Sequence, residues 1–169
     1  HMSDSDYSFD YADDYDDDDD DLNIDIENQY YDSKGLKEDD PRGALAGFEQ
    51  ILSMEAEPGE WGFKALKQSI KLHCSLHEYP QMLEKYKKLL TYISSAVTKN
   101  VTEKGINSML EIASSTNAHS LLQEFYCVTL DVLQSNSNDR LWFNTTLKLC
   151  KLYFEQDRLK ELDALLTKL

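Results

Sequence analysis

Between residue 23 and the end of the chain, apolar residues recur at helical spacing in eight successive stretches, and polar or proline-glycine breaks separate them. This recurrence constrains the fold more than any other feature, because a stripe at i, i+3, i+4 and i+7 is buried only when its helix packs on a neighbour. The first stretch, about 23–35, carries Ile24, Glu27, Tyr30 and Tyr31 and stops at Gly35. Asp40-Pro41 opens the second, an acid at the cap and a proline in the first turn, ahead of Leu45, Phe48, Ile51 and Leu52. Pro58-Gly59 breaks the chain before the third, 60–76, which holds Trp61, Leu66, Ile70 and Leu72. The fourth opens at Pro80 and runs through Leu83, Tyr86, Leu89, Leu90 and Ile93 to Val97. Thr102 is the expected cap of the fifth, built on Ile106, Met109, Leu110 and Ile112. The sixth carries Leu121, Leu122, Phe125, Val128, Leu130 and Leu133; the seventh carries Leu141, Trp142, Leu147, Leu149, Leu152 and Tyr153. Leu159, Leu162, Leu165 and Leu166 form the eighth, about 158–168, and no stretch has the pattern of a strand.

Paired, the stretches give first helices that begin near 23, 60, 102 and 139, a recurrence of roughly 36 to 42 residues. That is the period of helix-turn-helix solenoids, and the regular breaks favour a solenoid over a plain helical bundle with similar stripes. Ala44 and Phe48 fit the second-helix signature of a tetratricopeptide repeat, but the full signature is absent, so the expected class is all-α and tetratricopeptide-like, with about eight helices. Trp61 and Trp142 sit within stripes near helix starts and are expected to be mostly buried. Leu169 ends an apolar helix without a polar cap, which suggests a piece cut from a longer chain; His1-Met2 reads as a tag remnant.

Charge divides the chain differently. Of a formal net charge of −15, eleven aspartates fall in residues 1–21 with no Lys or Arg, so 1–22 is expected to be a disordered acidic head and 23–169 the helical-repeat domain. Tyr7, Phe9, Tyr11 and Tyr15 alternate with those acids, either as an interaction motif or within a plain solvating tail. Cys74, Cys127 and Cys150 are too scattered for a disulfide framework and read as buried free thiols. His73 and His77 would share a helix face, yet no HExxH acid or Cys pair completes a zinc site. Phosphate loops, nucleophile elbows and fixed carboxylate pairs are missing, and no apolar run is long enough to span a bilayer. A non-enzymatic intracellular protein without a catalytic or metal site is expected.

The constellation that points to binding is Lys64, Lys67 and Lys71, which at i, i+3 and i+7 line one helix face while Trp61 and Ile70 take others. Lys99 and Lys104 flank the next turn but one, and residues 59–104 hold eight lysines against four glutamates. Such a face is either ordinary solvated surface or a site for a polyphosphate or an acidic partner. Nucleic acid is a poor fit, because the acidic head competes for the same lysines and no aromatic stacking platforms are interleaved with them.

The segments DIENQYYDSKGLKEDDPRGAL, EWGFKALKQSIKL, LLTYISSAVTKN, LLQEFYCVTLDVL and NDRLWFNTTLKLCKLYFE resemble, in order, the subunit-two family of the COP-nine signalosome. The resemblance implies a right-handed superhelix of tetratricopeptide-like hairpins, followed in the whole protein by a PCI domain that is absent here. It implies a scaffold role in removing Nedd from cullins, with the zinc isopeptidase centre in another subunit. Implied partners are the other signalosome subunits, the cullin C-terminal region and the RING protein; the implied ligand is inositol hexakisphosphate, and the location is cytoplasm and nucleus. Lys64 matches the family's polyphosphate-contacting position and Lys67 accompanies it. The family's AVTRNYSEK stands here as AVTKNVTEK, so Lys99 replaces a guanidinium and Val101 an aromatic, a change expected to weaken or reshape that corner. Two rivals remain: a generic peptide-binding adaptor, and a transcriptional cofactor acting through the acidic head.

Overall fold

The computed structural model describes residues 17–136 and 138–169, and most of the acidic head, with its expected disorder, lies outside the described residues. Among the described residues eight helices follow one another: α1 (Asp17–Gly35), α2 (Pro41–Met54), α3 (Glu60–Ser75), α4 (Tyr79–Leu90), α5 (Lys99–Ser115), α6 (His119–Gln134), α7 (Asp139–Glu155) and α8 (Leu159–Leu166). No strand occurs among the described residues. Substantial contacts join only helices adjacent or next-but-one in the chain, with α3 lying between α1 and α5 and α4 against α6. This quasi-one-dimensional pattern is that of stacked helical hairpins rather than a closed bundle.

Several boundaries differ from the periodic pattern. α1 begins at Asp17 instead of near Asn23. Its buried stripe is Ile26, Tyr30 and Ser33, whereas Ile24 is 53% exposed. Asp40 caps α2 as expected, accepting from the Gly43 amide at 3.0 Å, with Pro41 in the first turn. α5 starts at Lys99 and is capped by Thr98, which accepts from Val101 N; Thr102 is instead a buried residue inside the helix. α4 stops at Leu90, and the chain then turns through residues 91–96 while Tyr92 and Ile93 stay in the core.

The core has two parts. Phe63, Leu66 and Ile70 of α3 join Tyr86, Ile106, Phe125 and Leu141 in a large cluster spanning α3 to α7. Tyr86 stacks on Phe125 with centroids 4.5 Å apart, and its hydroxyl lies 2.6 Å from the buried Thr129 hydroxyl. A smaller cluster, Ile26, Tyr30, Ala44, Phe48 and Ile51, closes α1 and α2 over Ala65 and Leu72 on the other side of α3. Trp61 and Trp142 are partly buried, Trp61 packed against the smaller cluster and Trp142 against the larger. Trp61 lies at the edge of this smaller cluster, its ring against Tyr30 (5.4 Å) and the exposed Tyr31 (6.2 Å). Leu147, Leu159 and Leu166 are also exposed rather than in the stripes that the spacing predicts.

All three cysteines are free, but only Cys150 is buried, while Cys74 and Cys127 are half-buried. His73 and His77 do not share a face, because α3 ends at Ser75 and His77 occupies the turn with φ 57°. His73 is buried with Nδ1 3.1 Å from Glu78 Oε1, and Arg42 of α2 donates both guanidinium arms to the same carboxylate at 2.9 and 2.7 Å. Among the described residues no group of three His, Cys, Asp or Glu could hold a metal, and no helix is long and apolar enough to cross a membrane.

Candidate functional site

α3 positions the lysine row because its apolar residues are used on two sides, against α1 and α2 and against α4 and α5, leaving one strip open between α1 and α5. Along that strip the chain places Lys64, Lys67 and Lys71, and Trp61 lies beside them under Lys64 rather than on a separate face as the spacing predicts. Lys64 keeps 38% of its side chain exposed; its ammonium sits 4.4 Å over the Trp61 ring and 3.9 Å from Glu60. A cation over an indole face gains from the ring quadrupole, which orients the side chain without neutralising it. Lys67 is half-buried, with Nζ 5.3 Å over Phe63, and the surrounding protein together with Lys71 and Lys64 pushes its pKa down. Gly105 of α5 makes this possible: a Cβ there would come within 2.8 Å of the Phe63 ring, so only glycine lets α5 lie this close to the strip. Lys71 is exposed.

The two remaining lysines singled out in the sequence are on the neighbouring helix rather than in the row. Lys99, in the first turn of α5, lines a hollow with Thr102, Leu133, Asn136 and Asn138, toward the turn between α6 and α7. Lys104 is exposed on α5, one residue ahead of the glycine that faces Phe63.

Sequence reasoning missed a contributor on the other flank. Lys37, in the turn after α1, donates to Gln68 Oε1 of α3 at 2.7 Å, and Gln68 Nε2 donates to the Tyr30 hydroxyl at 3.2 Å. Partial burial and the nearby charges of Lys71 and Lys34 push the Lys37 pKa down, against a smaller opposing effect of Glu38. The spacing of Lys34 and Lys37 was visible, but the approach of Lys37 to Lys71 depends on α1 docking against α3, which no local pattern encodes.

A second concavity of about 520 Å³ lies between α5, α6 and α7, lined among others by Asn107, Leu110, Tyr126, Lys148, Lys151 and Glu155. Lys151 stands 4.0 Å from Glu155 there, so charge in this groove is internally offset. The α3 strip carries a net excess of ammonium groups instead. Its chemistry is multidentate, charge-assisted hydrogen bonding to an anion, with lysines acting as point charges.

No family model matches the chain. It is 53% identical over 148 residues to COP9 signalosome complex subunit 2 of Drosophila melanogaster, covering 87% of this chain and 33% of that protein. The protein of the same name from Caenorhabditis elegans is 47% identical over 167 residues, 98% of this chain and 33% of its own length. That from Neurospora crassa is 46% identical over 159 residues, 92% of this chain and 32% of its own length. The chain thus spans about a third of the length of these relatives.

Proposed function

Over the segment that it spans, the chain belongs to the family of subunit 2 of the COP9 signalosome, and from that premise we propose that it is a non-catalytic docking arm for cullin–RING ligases. In this reading the stacked hairpins hold the cullin C-terminal region and the RING protein while another subunit removes Nedd. The other signalosome subunits are its assembly partners, and it works in cytoplasm and nucleus. Inositol hexakisphosphate, or an acidic partner surface, is held by Lys64, Lys67 and Lys71, with Lys99 and Lys104 contributing from α5.

The observation that carries the reading is the open strip of α3, where three lysines stand within two turns and Lys67 is partly desolvated beside two like charges. Ammonium groups crowded in this way gain from an added anion, because it relieves their mutual repulsion as well as forming its own contacts. Calorimetric titration with inositol hexakisphosphate tests it. The unsubstituted chain is expected to bind, more tightly at low salt, and a Lys64→Glu/Lys67→Glu variant to lose measurable binding while keeping its helical circular dichroism, its melting temperature falling modestly because Lys67 is half-buried on Phe63. Equal affinities for the two proteins would reduce the strip to solvated surface. Capture of a purified cullin–RING core, with and without the polyphosphate, tests the partner; capture insensitive to both the ligand and the charge reversal would favour the peptide-adaptor rival.

A further inference from the structure

We propose that the cationic face is bipartite: Lys37, brought beside Lys71 by the docking of α1 on α3, forms with its neighbour Lys34 a second phosphate subsite beside that of Lys64 and Lys67. The face then takes ligands with phosphates on both sides of Lys71. This inference rests on the reading of the α3 strip as a polyphosphate contact and adds its specificity.

The reason to separate Lys37 from an ordinary surface lysine is that its ammonium is held from behind. Gln68 and Tyr30 are buried, at 8% and 6% exposure. The Gln68 amide nitrogen is committed to the Tyr30 hydroxyl, so its oxygen must face outward, where Lys37 donates to it. One of three N–H donors is thereby used, and two are left for a ligand. Ordering a lysine side chain costs rotamer entropy, and here much of that cost is met before any ligand arrives.

Lys71 is the shared member of the two groups. It acts on Lys37 together with Lys34, and on Lys67 together with Lys64. Gln68, which fixes Lys37, and Lys67 are successive residues of α3, about 100° apart around the helix with Lys71 between them, so Lys37 and Lys67 stand on opposite flanks of Lys71. Lys64 and Lys67 suffice for a single phosphate group. A ligand bearing several can engage Lys37 as well, which makes the face a counter of phosphates rather than a general anion site.

Titration of the chain and of Lys37→Met with inositol hexakisphosphate and with pyrophosphate, at one low salt concentration, tests this. Methionine keeps the stem and removes the charge. Lys37→Met is expected to weaken inositol hexakisphosphate binding about tenfold, the loss of one charge-assisted contact, and pyrophosphate binding less than about twofold. Lys34→Met is expected to behave alike, and Gln68→Met, which keeps the Lys37 charge but frees it, to fall between. Unchanged inositol hexakisphosphate binding in Lys37→Met overturns the proposal, as does an equal loss for both ligands, which would make Lys37 only a source of long-range potential. Failure of the unsubstituted chain to bind inositol hexakisphosphate is a separate result, seen before any substitution, and removes the underlying reading together with this one.

Discussion

Glu55 performs for α3 the task that Asp40, Thr98 and Asn138 perform for their own helices. Position 59, where a capping side chain would stand, is glycine. The Glu55 carboxylate, at the end of α2, reaches across the turn to the amide of Gly59 at 3.3 Å and to those of Gly62 and Trp61. Its removal from water raises its pKa, and the backbone amides offset only part of that rise. A carboxyl raised in this way contributes most below its ordinary titration range and loses the contribution as pH climbs through the raised value. Glu55→Gln, which keeps an accepting oxygen, is therefore expected to gain stability relative to the native residue between about pH 4 and pH 7, read from urea melts at the two pH values. A difference that does not change with pH would show that the carboxylate is solvated. The sequence pointed to Asp40 because its cap is local. Nothing local marks Glu55, since its role depends on the angle between α2 and α3.

At the level of helices, three of the hairpin turns share one device. His77, Asn117 and Asp157 each adopt positive φ, 57°, 58° and 58°, in the turns from α3 to α4, α5 to α6 and α7 to α8. A left-handed residue lets the next amide return to a carbonyl of the finished helix: Glu78 N donates to His73 O and Arg158 N to Tyr153 O, both at 2.8 Å. The polar breaks were legible, and with them the hairpins. The residue that turns was not, because histidine, asparagine and aspartate, although enriched at positive φ, adopt it in only a minority of their occurrences and carry no common signature. His77→Gly is expected to leave stability unchanged or raise it by up to about 1 kcal/mol, and His77→Val to lower it by about 1–2 kcal/mol. Chemical denaturation of the two variants decides this, and a valine variant as stable as the native chain would mean that the turn can be rebuilt at no cost.

Across the whole molecule, the division of the core sets where the stack opens first. The α1–α2 hairpin closes over α3 with a small cluster around Phe48, while α3 to α7 share a cluster several times larger. Nearest-neighbour stacks open from their less supported ends, so amide exchange is expected to be fastest in α8, none of whose residues is buried, next in α1 and α2, and slowest in α4 and α6. Phe48→Ala and Phe125→Ala should each cost about 3–5 kcal/mol, yet the first should raise exchange chiefly in α1 and α2 and the second throughout. Uniform acceleration in both variants would show the stack to be a single cooperative unit. The sequence supplied the hairpins but not this division, because Ala65 and Leu72 of α3 face the small cluster while Phe63 and Leu66 face the large one. The lysine strip runs along the seam between these two bodies. Lys67 lies on Phe63 of the larger, and Lys37 is tied through Gln68 to Tyr30 of the smaller. In the proposed reading, a polyphosphate gripping both lysines is a splint across that seam, and its binding braces the α1–α2 hairpin against the rest of the stack.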